Sequence, residues 1–222
     1  MGVPIGVTDE AKQAEALVEA ARGGNRQAFD ALVRRYRSRV FALGLHLSGS
    51  AAEADDITQD VFVQAFGRIR QFEGRSQFFT WLYRITLNRA LNARRAERRR
   101  RSVGLDDDRV RAAIEVDAGG DPRRELELRE SYGLLVAALD QLSPLLRSTV
   151  VLVALQGLSH REAAIVLDTT EGTVAWRMHE GRARLAKSIE AMSREPTPLP
   201  VHKRLLSAEQ LLARLALVTT KA

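Results

Sequence analysis

The chain has 222 residues, 45% of them hydrophobic and 28% charged, which suffices for one or two globular domains with a packed core each. A formal net charge of +6 favours an anionic partner. The sequence contains no cysteine, which excludes disulfides, thiolate zinc sites and cysteine redox switches. No apolar run is as long as a membrane span and no secretory signal is visible, so we expect a cytoplasmic protein without membrane insertion.

Four amphipathic helices are predicted in the first half of the chain. The side chains of Thr8, Asn25 and Ser76 can cap the first, second and fourth of these helices, and Ser50 starts the third. The predicted helices run from about Asp9 to Arg22, Arg26 to Leu47, Ser50 to Ile69 and Ser76 to Arg101.

Residues 72–101 combine aromatic rings with arginine. Phe78, Leu82 and Ile85 recur at helical spacing and predict an apolar face. Another face of the same helix carries Arg84, Asn88 and Arg95, and six arginines lie among residues 94–101. Arginines neutralise phosphates and aromatic faces stack on unpaired bases, so we interpret the stretch as a site for single-stranded nucleic acid. Core packing of the rings and a solvated arginine face are the alternatives.

The stretch from Ser102 to Arg124 is predicted to be an acidic, flexible linker. It is rich in aspartate and glycine and shows little hydrophobic periodicity. Fully extended, a segment of this length spans roughly 75 Å, which is about two turns of DNA at roughly 35 Å each. Two domains joined in this way could hold separated sites on DNA.

A shorter helical domain is predicted after the linker. Its helices run from Pro122 to Gln141, from Ser143-Pro144 to about Gln156, from the capping-box pattern at Ser159 and Glu162 to Leu167, and from Glu171 to about Met192 with Thr170 as cap. A short helix, a tight turn and a longer helix form the helix-turn-helix arrangement.

No β-period occurs in the sequence, so we predict an all-α fold with two small helical domains, the second containing the helix-turn-helix. The predicted ranges are 1–101 for the first domain, 102–124 for the linker, 125–194 for the second domain and 195–222 for a C-terminal extension. Leucines at 205, 206, 211, 212 and 215 predict a short amphipathic helix in that extension.

An acidic stripe is predicted on the third helix, because residues three and four positions apart share a face. Its members are Asp55, Asp56, Gln59 and Asp60, and the apolar side of the helix carries Phe62, Val63 and Phe66. A solvated acidic face is one alternative, and a metal-dependent nuclease would also use clustered carboxylates. No histidine and no second carboxylate cluster accompany the stripe.

We predict no catalytic, metal or cofactor site, and therefore a binding protein that is not an enzyme. The four histidines lie in different segments of the sequence. Neither a serine, histidine and carboxylate constellation nor a phosphate-binding glycine motif is visible.

Several of these stretches resemble the extracytoplasmic-function sigma factors, the small bacterial initiation factors. FEGRSQFFTWLYRITLN, beginning at Phe72, is similar to their promoter-melting segment, and ADDITQDVFVQAF, beginning at Ala54, is similar to their polymerase-docking helix. LSPLLRSTVVL, GLSHREAAIVL and GTVAWRMHEGRARL resemble the family's reader of the upstream promoter element.

The resemblance implies three groups of binding residues. The residues expected to contact core polymerase are Asp55, Asp56, Gln59, Asp60, Phe62 and Val63. Those expected to bind the downstream promoter element and to melt the DNA are Phe72, Gly74, Arg75, Ser76, Gln77, Trp81, Arg84, Asn88 and Arg95. Those expected to bind the upstream element are Ser159, Thr173, Ala175, Trp176, Arg177, His179, Glu180, Arg182 and Arg184.

The match is imperfect on the reading helix. Ala175, Trp176 and Glu180 stand where the family usually has a basic residue, serine and arginine, and Gly181 replaces a helix-favouring alanine. The bound DNA sequence can therefore not be transferred from the family. Trp176 is either a reader of DNA or a core residue.

The resemblance implies a sigma factor that directs core polymerase to specific promoters and helps to open them. The implied partners are the clamp and flap regions of polymerase core, promoter DNA and an anti-sigma factor. A helix-turn-helix regulator that binds duplex DNA without polymerase is the alternative, and a nuclease is a third reading.

Overall fold

A computed structural model describes residues 5–100 and 133–194, which contain helices and turns and no strand. In the first range the elements are α1 (Ile5–Arg22), α2 (Arg26–Ser48), α3 (Ala51–Arg68), a 3-10 turn (Ile69–Gln71) and α4 (Phe78–Arg100). In the second they are α5 (133–140), α6 (Pro144–Val150), a π-helical turn (Val151–Leu155), α7 (His160–Leu167) and α8 (Glu171–Arg194). The all-α prediction is confirmed.

The proposed linker and the C-terminal extension with its amphipathic helix lie outside the described residues. The division into domains at 1–101, 102–124, 125–194 and 195–222 therefore stays a prediction.

Most of the predicted helix caps are present. Asn25 Oδ1 accepts a hydrogen bond from the Ala28 amide at 3.2 Å, and Ser50 Oγ accepts from the Glu53 amide at 3.4 Å. Both satisfy an amide that the first turn of a helix leaves unpaired. The caps at Ser159 and Thr170 are also confirmed.

Two predicted starts were wrong. α1 begins at Ile5, so Thr8 lies within it, and threonine is a weaker cap than asparagine or serine. α4 begins at Phe78, so its N-cap position is Gln77 and not Ser76. The Gln77 carbonyl accepts from the amides of Thr80 and Trp81 at 3.1 and 3.2 Å, while the Ser76 hydroxyl only donates to that carbonyl at 3.4 Å.

We call residues 5–100 the first half and residues 133–194 the second half. The first half is built around α2, with α1, α3 and α4 packed against it. The largest fully buried side chains here are Leu32, Val40, Leu43, Val61 and Leu82, contributed by α2, α3 and α4. A Cβ added to Gly44 on α2 would lie 3.4 Å from the Cα of Ala54, so these two small residues let α2 and α3 approach closely. This packing fixes which faces of α3 and α4 point outward.

The second half packs α6 and α7 against α8. Val174, Met178 and Leu185 bury one face of α8 at spacings of four and seven residues. Gly181 lies on the same face, and a Cβ there would come within 2.6 Å of Val150 Cγ2. Only a glycine therefore fits where α6 crosses α8.

The two halves also pack against each other. α4 contacts α7, and α2 contacts the π-helical turn. Buried apolar residues of both halves form one continuous cluster.

Candidate nucleic-acid and protein interfaces

The acidic stripe on α3 is only partly open to a partner. Asp56 and Gln59 are exposed. Asp55 is also exposed and lies 3.7 Å from an Arg37 nitrogen, whereas Asp60 accepts a hydrogen bond from Arg89 Nε on α4 at 2.6 Å. The stripe therefore presents Asp56 and Gln59 at its open end, and Asp60 joins α3 to α4.

The predicted apolar members of the docking face behave differently from each other. Val63 is 72% exposed and Phe66, which lies outside the predicted contact set, is 49% exposed, so both are accessible beside the stripe. Phe62 is buried at 8% and is part of the core cluster. An accessible apolar pair next to an acidic edge is typical of a protein interface.

The aromatic rings around the start of α4 pack against one another in edge-to-face and tilted arrangements. The ring centroids of Phe72, Phe78 and Trp81 are 5.3 to 5.7 Å apart in all three pairs. Phe72 and Phe78 are buried in the core cluster, so the alternative of core packing holds for these two rings. Trp81 is half-buried and keeps an accessible part.

The loop before α4 is the open part of this region. Gly74 has a φ of 72°, a left-handed conformation that favours glycine, and no neighbouring atom lies within 4 Å of where a Cβ would stand. Arg75 Nε lies 2.6 Å from a Glu73 carboxylate oxygen, and both side chains are exposed. Gln77 is exposed and Ser76 half-buried, so the loop offers polar groups with room for an incoming base.

Arg84 and Asn88 lie one turn apart on an exposed face of α4. One guanidinium nitrogen of Arg84 is 3.7 Å from an Asp168 carboxylate oxygen in the turn before α8. The side chain of Arg95 lies outside the described part of the chain.

Arg94 departs from the expected basic run. Its guanidinium is turned inward, donating to the Leu47 carbonyl at 2.8 Å and to Asp140 at 2.6 Å. This arginine is therefore engaged within the protein and is not presented to nucleic acid.

α7, the turn at residues 168–170 and α8 form the predicted helix-turn-helix. Asp168 takes the left-handed conformation with a φ of 52°, which turns the chain after α7. Ser159 and Glu162 form a complete capping box at the start of α7. The Thr170 hydroxyl accepts from the Thr173 amide at 3.2 Å and fixes the start of α8.

The outer face of α8 carries most of the predicted reading residues. Ala175, His179 and Arg182 are exposed, and Thr173 and Arg177 are half-buried. Trp176 is 63% exposed, which rules out the alternative that it is a core residue. Arg184 Nε donates to Glu180 at 2.7 Å, so a carboxylate on the same helix holds this guanidinium.

A set of polar contacts between the halves was not predicted. Arg147 on α6 is 3% exposed and donates from Nη2 to the His46 carbonyl on α2 at 2.9 Å. Its other terminal nitrogen contacts Asp140, which also binds Arg94. One carboxylate from the second half thus joins arginines from both halves.

A second contact runs through Gln156, which follows the π-helical turn. The Tyr83 hydroxyl donates to Gln156 Oε1 at 3.1 Å, and Gln156 Nε2 lies 3.3 Å from His46 Nδ1. Burial lowers the pKa of His46 to about 4, so near neutral pH its ring is uncharged and Nδ1 can accept from the amide. Burial raises the pKa of Tyr83 to about 12, which keeps the hydroxyl protonated as a donor.

Two further properties bear on the interfaces. Among the described residues, no group of histidine, aspartate and glutamate is arranged to hold a metal ion. Within the same ranges, no helix has the length and apolar composition needed to cross a membrane.

Comparison with known proteins finds a matching family model for each half of the chain. The model of Sigma-70 region 2 matches residues 32–100, and the model of Sigma-70 region 4 matches residues 132–185. The RNA polymerase sigma-H factor of Pseudomonas aeruginosa is 32% identical over 191 residues, covering 83% of this chain and 97% of that protein. The ECF RNA polymerase sigma-E factor of Escherichia coli K12 is 31% identical over 186 residues, covering 81% of this chain and 96% of that one.

A solved structure agrees with these matches. CnrH, determined in complex with the cytosolic domain of CnrY, superimposes with a TM-score of 0.62 and 26% identity, covering 81% of this chain and 98% of CnrH. The region 4 match contains α7, the turn and α8 as far as residue 185, and the face of α3 and α4 falls within region 2. The chain belongs to the extracytoplasmic-function sigma factors, which direct RNA polymerase to promoters.

Proposed function

We propose that this sigma factor divides its work among three surfaces. The open end of the α3 stripe, with Asp56, Gln59 and Val63, docks on the clamp of polymerase core, and the second half docks on the flap. The loop at residues 73–77 and the Arg84 and Asn88 face of α4 hold the opened DNA. The outer face of α8 reads the upstream element. The observation that carries the proposal is that all three surfaces are exposed within one chain.

The α3 surface has the chemistry of a docking site for a basic partner. Asp56 is exposed beside Val63 and Phe66, so a charged contact and apolar contacts are available together. Charge complementarity fixes orientation, and apolar burial supplies affinity. Phe62 supports this surface from the core, and Asp60 supports it through Arg89.

The α4 surface has the chemistry of a strand-holding site. The Gly74 loop leaves space at the backbone, and Arg75, Gln77 and Asn88 offer donors and acceptors to a base edge or a phosphate. Flipping a base costs a few kcal/mol, which contacts of this kind can offset. Trp81 retains an accessible ring part on which a base can stack.

Further properties belong to the same proposal. The protein has no catalysis of its own and acts in the cytoplasm, with polymerase and promoter DNA as partners. An anti-sigma factor is a further partner, by analogy with CnrH, which was solved with a bound protein domain.

Run-off transcription with purified core polymerase tests the proposal. A promoter-specific start without any other factor supports it, whereas DNA binding without a start supports a plain helix-turn-helix regulator. Metal-dependent cleavage of the template would support a nuclease.

A charge reversal tests the docking surface. Asp56→Arg should cost several kcal/mol of binding to core, because like charges meet and a partner charge is left unpaired. Glu15→Arg, at an exposed position of α1, is the matched control and should bind core as the natural chain does. Undiminished binding of Asp56→Arg would remove the stripe from the interface.

A further inference from the structure

Trp176 lies in the middle of the outward face of α8. Val174 and Met178 turn the opposite face of the helix into the core, and Trp176 itself is 63% exposed. It stands in the second turn of the helix, which begins at Glu171. In a helix-turn-helix, the residues near the start of the second helix contact base edges in the major groove. The indole is therefore placed where a base pair would be read.

The neighbours of Trp176 offer few polar groups to the same base pair. Ala175 is exposed but ends in a methyl group. The Thr173 hydroxyl lies 2.9 Å from another threonine hydroxyl at the start of α8, so it is engaged within the protein. One turn after Trp176, the Glu180 carboxylate accepts a hydrogen bond from Arg184 at 2.7 Å. Base selection in this part of α8 therefore depends mainly on the indole.

The indole matches one of the four bases. It presents an apolar body and a single donor, Nε1–H, and it has no acceptor. In the major groove thymine presents one acceptor, O4, beside a C5-methyl group. Cytosine and adenine each present an amino donor that an indole cannot accept, and guanine presents two acceptors and no apolar group. Thymine is therefore the base whose edge fits both parts of the Trp176 side chain.

Cations flank this position. Arg182 and Arg184 follow Trp176 by about two turns, and helical geometry places them on either side of its face. Both are exposed. Phosphates border a groove on both sides, and contacts to them set the position of a protein on DNA. The flanking charge favours DNA over another protein as the partner of the exposed indole.

Resting on the sigma-factor function proposed above, we propose that Trp176 selects a thymine of the upstream element by its C5-methyl group. The indole packs against the methyl group and donates Nε1–H to O4. Serine, which the family usually has at this position, has no apolar body of that size. The thymine preference therefore belongs to this chain and does not transfer to relatives that carry serine.

The experiment uses holoenzyme assembled from the full chain and purified core polymerase. Duplexes are first selected from a pool whose upstream region is random. Each thymine of a selected upstream element is then replaced in turn by uracil, which keeps O4 and the base pairing and removes only the C5-methyl group. One of these replacements should weaken binding of the natural holoenzyme about fourfold, since burial of a methyl-sized group contributes about 0.8 kcal/mol.

Variants of the chain assign the effect to Trp176. Trp176→Ala should bind the thymine and uracil duplexes equally, because the ring that packs on the methyl group is gone. Trp176→Phe keeps an apolar ring without Nε1–H and should still prefer thymine. Leu145→Ala is the matched control, because it shortens a side chain on α6 that is 58% exposed. It should discriminate between the two duplexes as the natural chain does.

The outcomes separate the thymine contact from the sigma-factor function. Uracil replacements that act equally on the natural chain and on Trp176→Ala would overturn the contact, as would a selected element without thymine on either strand. Loss of core binding in Trp176→Ala would identify the indole as a protein contact and overturn it too. In these cases a promoter-specific start in run-off transcription still supports the function. A holoenzyme that neither selects an element nor starts at a promoter contradicts the function and the contact together.

Discussion

Arg147 donates a hydrogen bond to the backbone carbonyl of His46, 2.9 Å away and 101 residues earlier in the chain. The Arg147 side chain is 4% exposed, and its partner Asp140 also binds Arg94. A buried guanidinium with acceptors in both halves makes the local geometry of each half depend on the other.

Replacing this arginine should destabilise the protein. We expect Arg147→Leu to lower the free energy of unfolding by about 3 kcal/mol, because breaking a buried pair leaves its partners unsatisfied. This is the low end of the roughly 3–5 kcal/mol that breaking a buried ion pair costs. Asp140 still has Arg94 as a partner in the variant, and Arg147 Nε makes no hydrogen bond that could be lost. Urea unfolding measures it, with exposed Arg161→Leu as control. Equal losses of unfolding free energy in Arg147→Leu and Arg161→Leu would show that the buried contacts of Arg147 do not stabilise the fold.

Acid should weaken the fold through His46. The folded-state pKa is about 4 and the unfolded value is 6.5, so between these values the unfolded chain binds a proton that the folded chain does not. The His46 contribution is fully present above pH 6.5 and is lost as the pH falls toward 4. We expect about 2 kcal/mol less stability at pH 5 than at pH 7.5 from this group alone.

Urea unfolding at the two pH values, compared between the natural chain and His46→Asn, isolates this effect because all other titrations are shared. The asparagine carbonyl can accept the Gln156 amide as Nδ1 does, and it does not titrate. An identical pH dependence in both proteins would show that His46 binds protons equally in the folded and unfolded states, which contradicts the lowered pKa.

Gly181→Ala should destabilise the second half although alanine favours helices. The added methyl would meet Val150 Cγ2 at 2.6 Å, and the fully buried, β-branched valine has little freedom to move. We expect the overpacking to cost about 1–3 kcal/mol, against a propensity gain of about 1 kcal/mol. Gly67→Ala on α3, where the space is empty, is the matched control and should be neutral or stabilising in thermal unfolding. A Gly181→Ala variant that unfolds at a higher temperature than the natural chain would show that α6 and α8 do not cross this closely.

We expect different residues of α8 to position the protein on DNA and to read the DNA sequence. Arg182→Ala should weaken binding similarly on all duplexes and flatten the slope of log affinity against log salt by about 0.9, because one phosphate contact is lost. Trp176→Ala should change which upstream elements are preferred, with little change in slope, because the indole carries no charge. Arg26→Ala, on α2, controls for net charge. A slope change in Trp176→Ala equal to that in Arg182→Ala would reject this division.

The sequence predicted the helices and most caps because those signals are local. Asn25, Ser50 and Ser159 each bond to an amide three residues away, and such spacing is visible in a sequence. The exposed Asp56 and Arg84 faces followed from helical periodicity in the same way.

The contacts between the halves had no such signal. Arg94 looked like one more member of a basic run, and no local pattern singled out Arg147 or Asp140, because the partners that join the halves lie far away in the sequence. Gly181 stood out only as a departure from a family pattern, and the crossing of α6 over α8 supplies its reason. Phe62 and Phe72 fitted a binding motif, while their burial depended on neighbours that periodicity does not identify.

The separation of His46 from Gln156 by 110 residues has a consequence during synthesis on the ribosome. At translation rates of about 5–20 residues per second, His46 is made roughly 5–20 seconds before Gln156 exists. During that interval the faces of α2 and α4 that the second half later covers are exposed to water. A nascent chain of this sigma factor therefore presents, for some seconds, a surface that chaperones can bind and that the finished protein conceals.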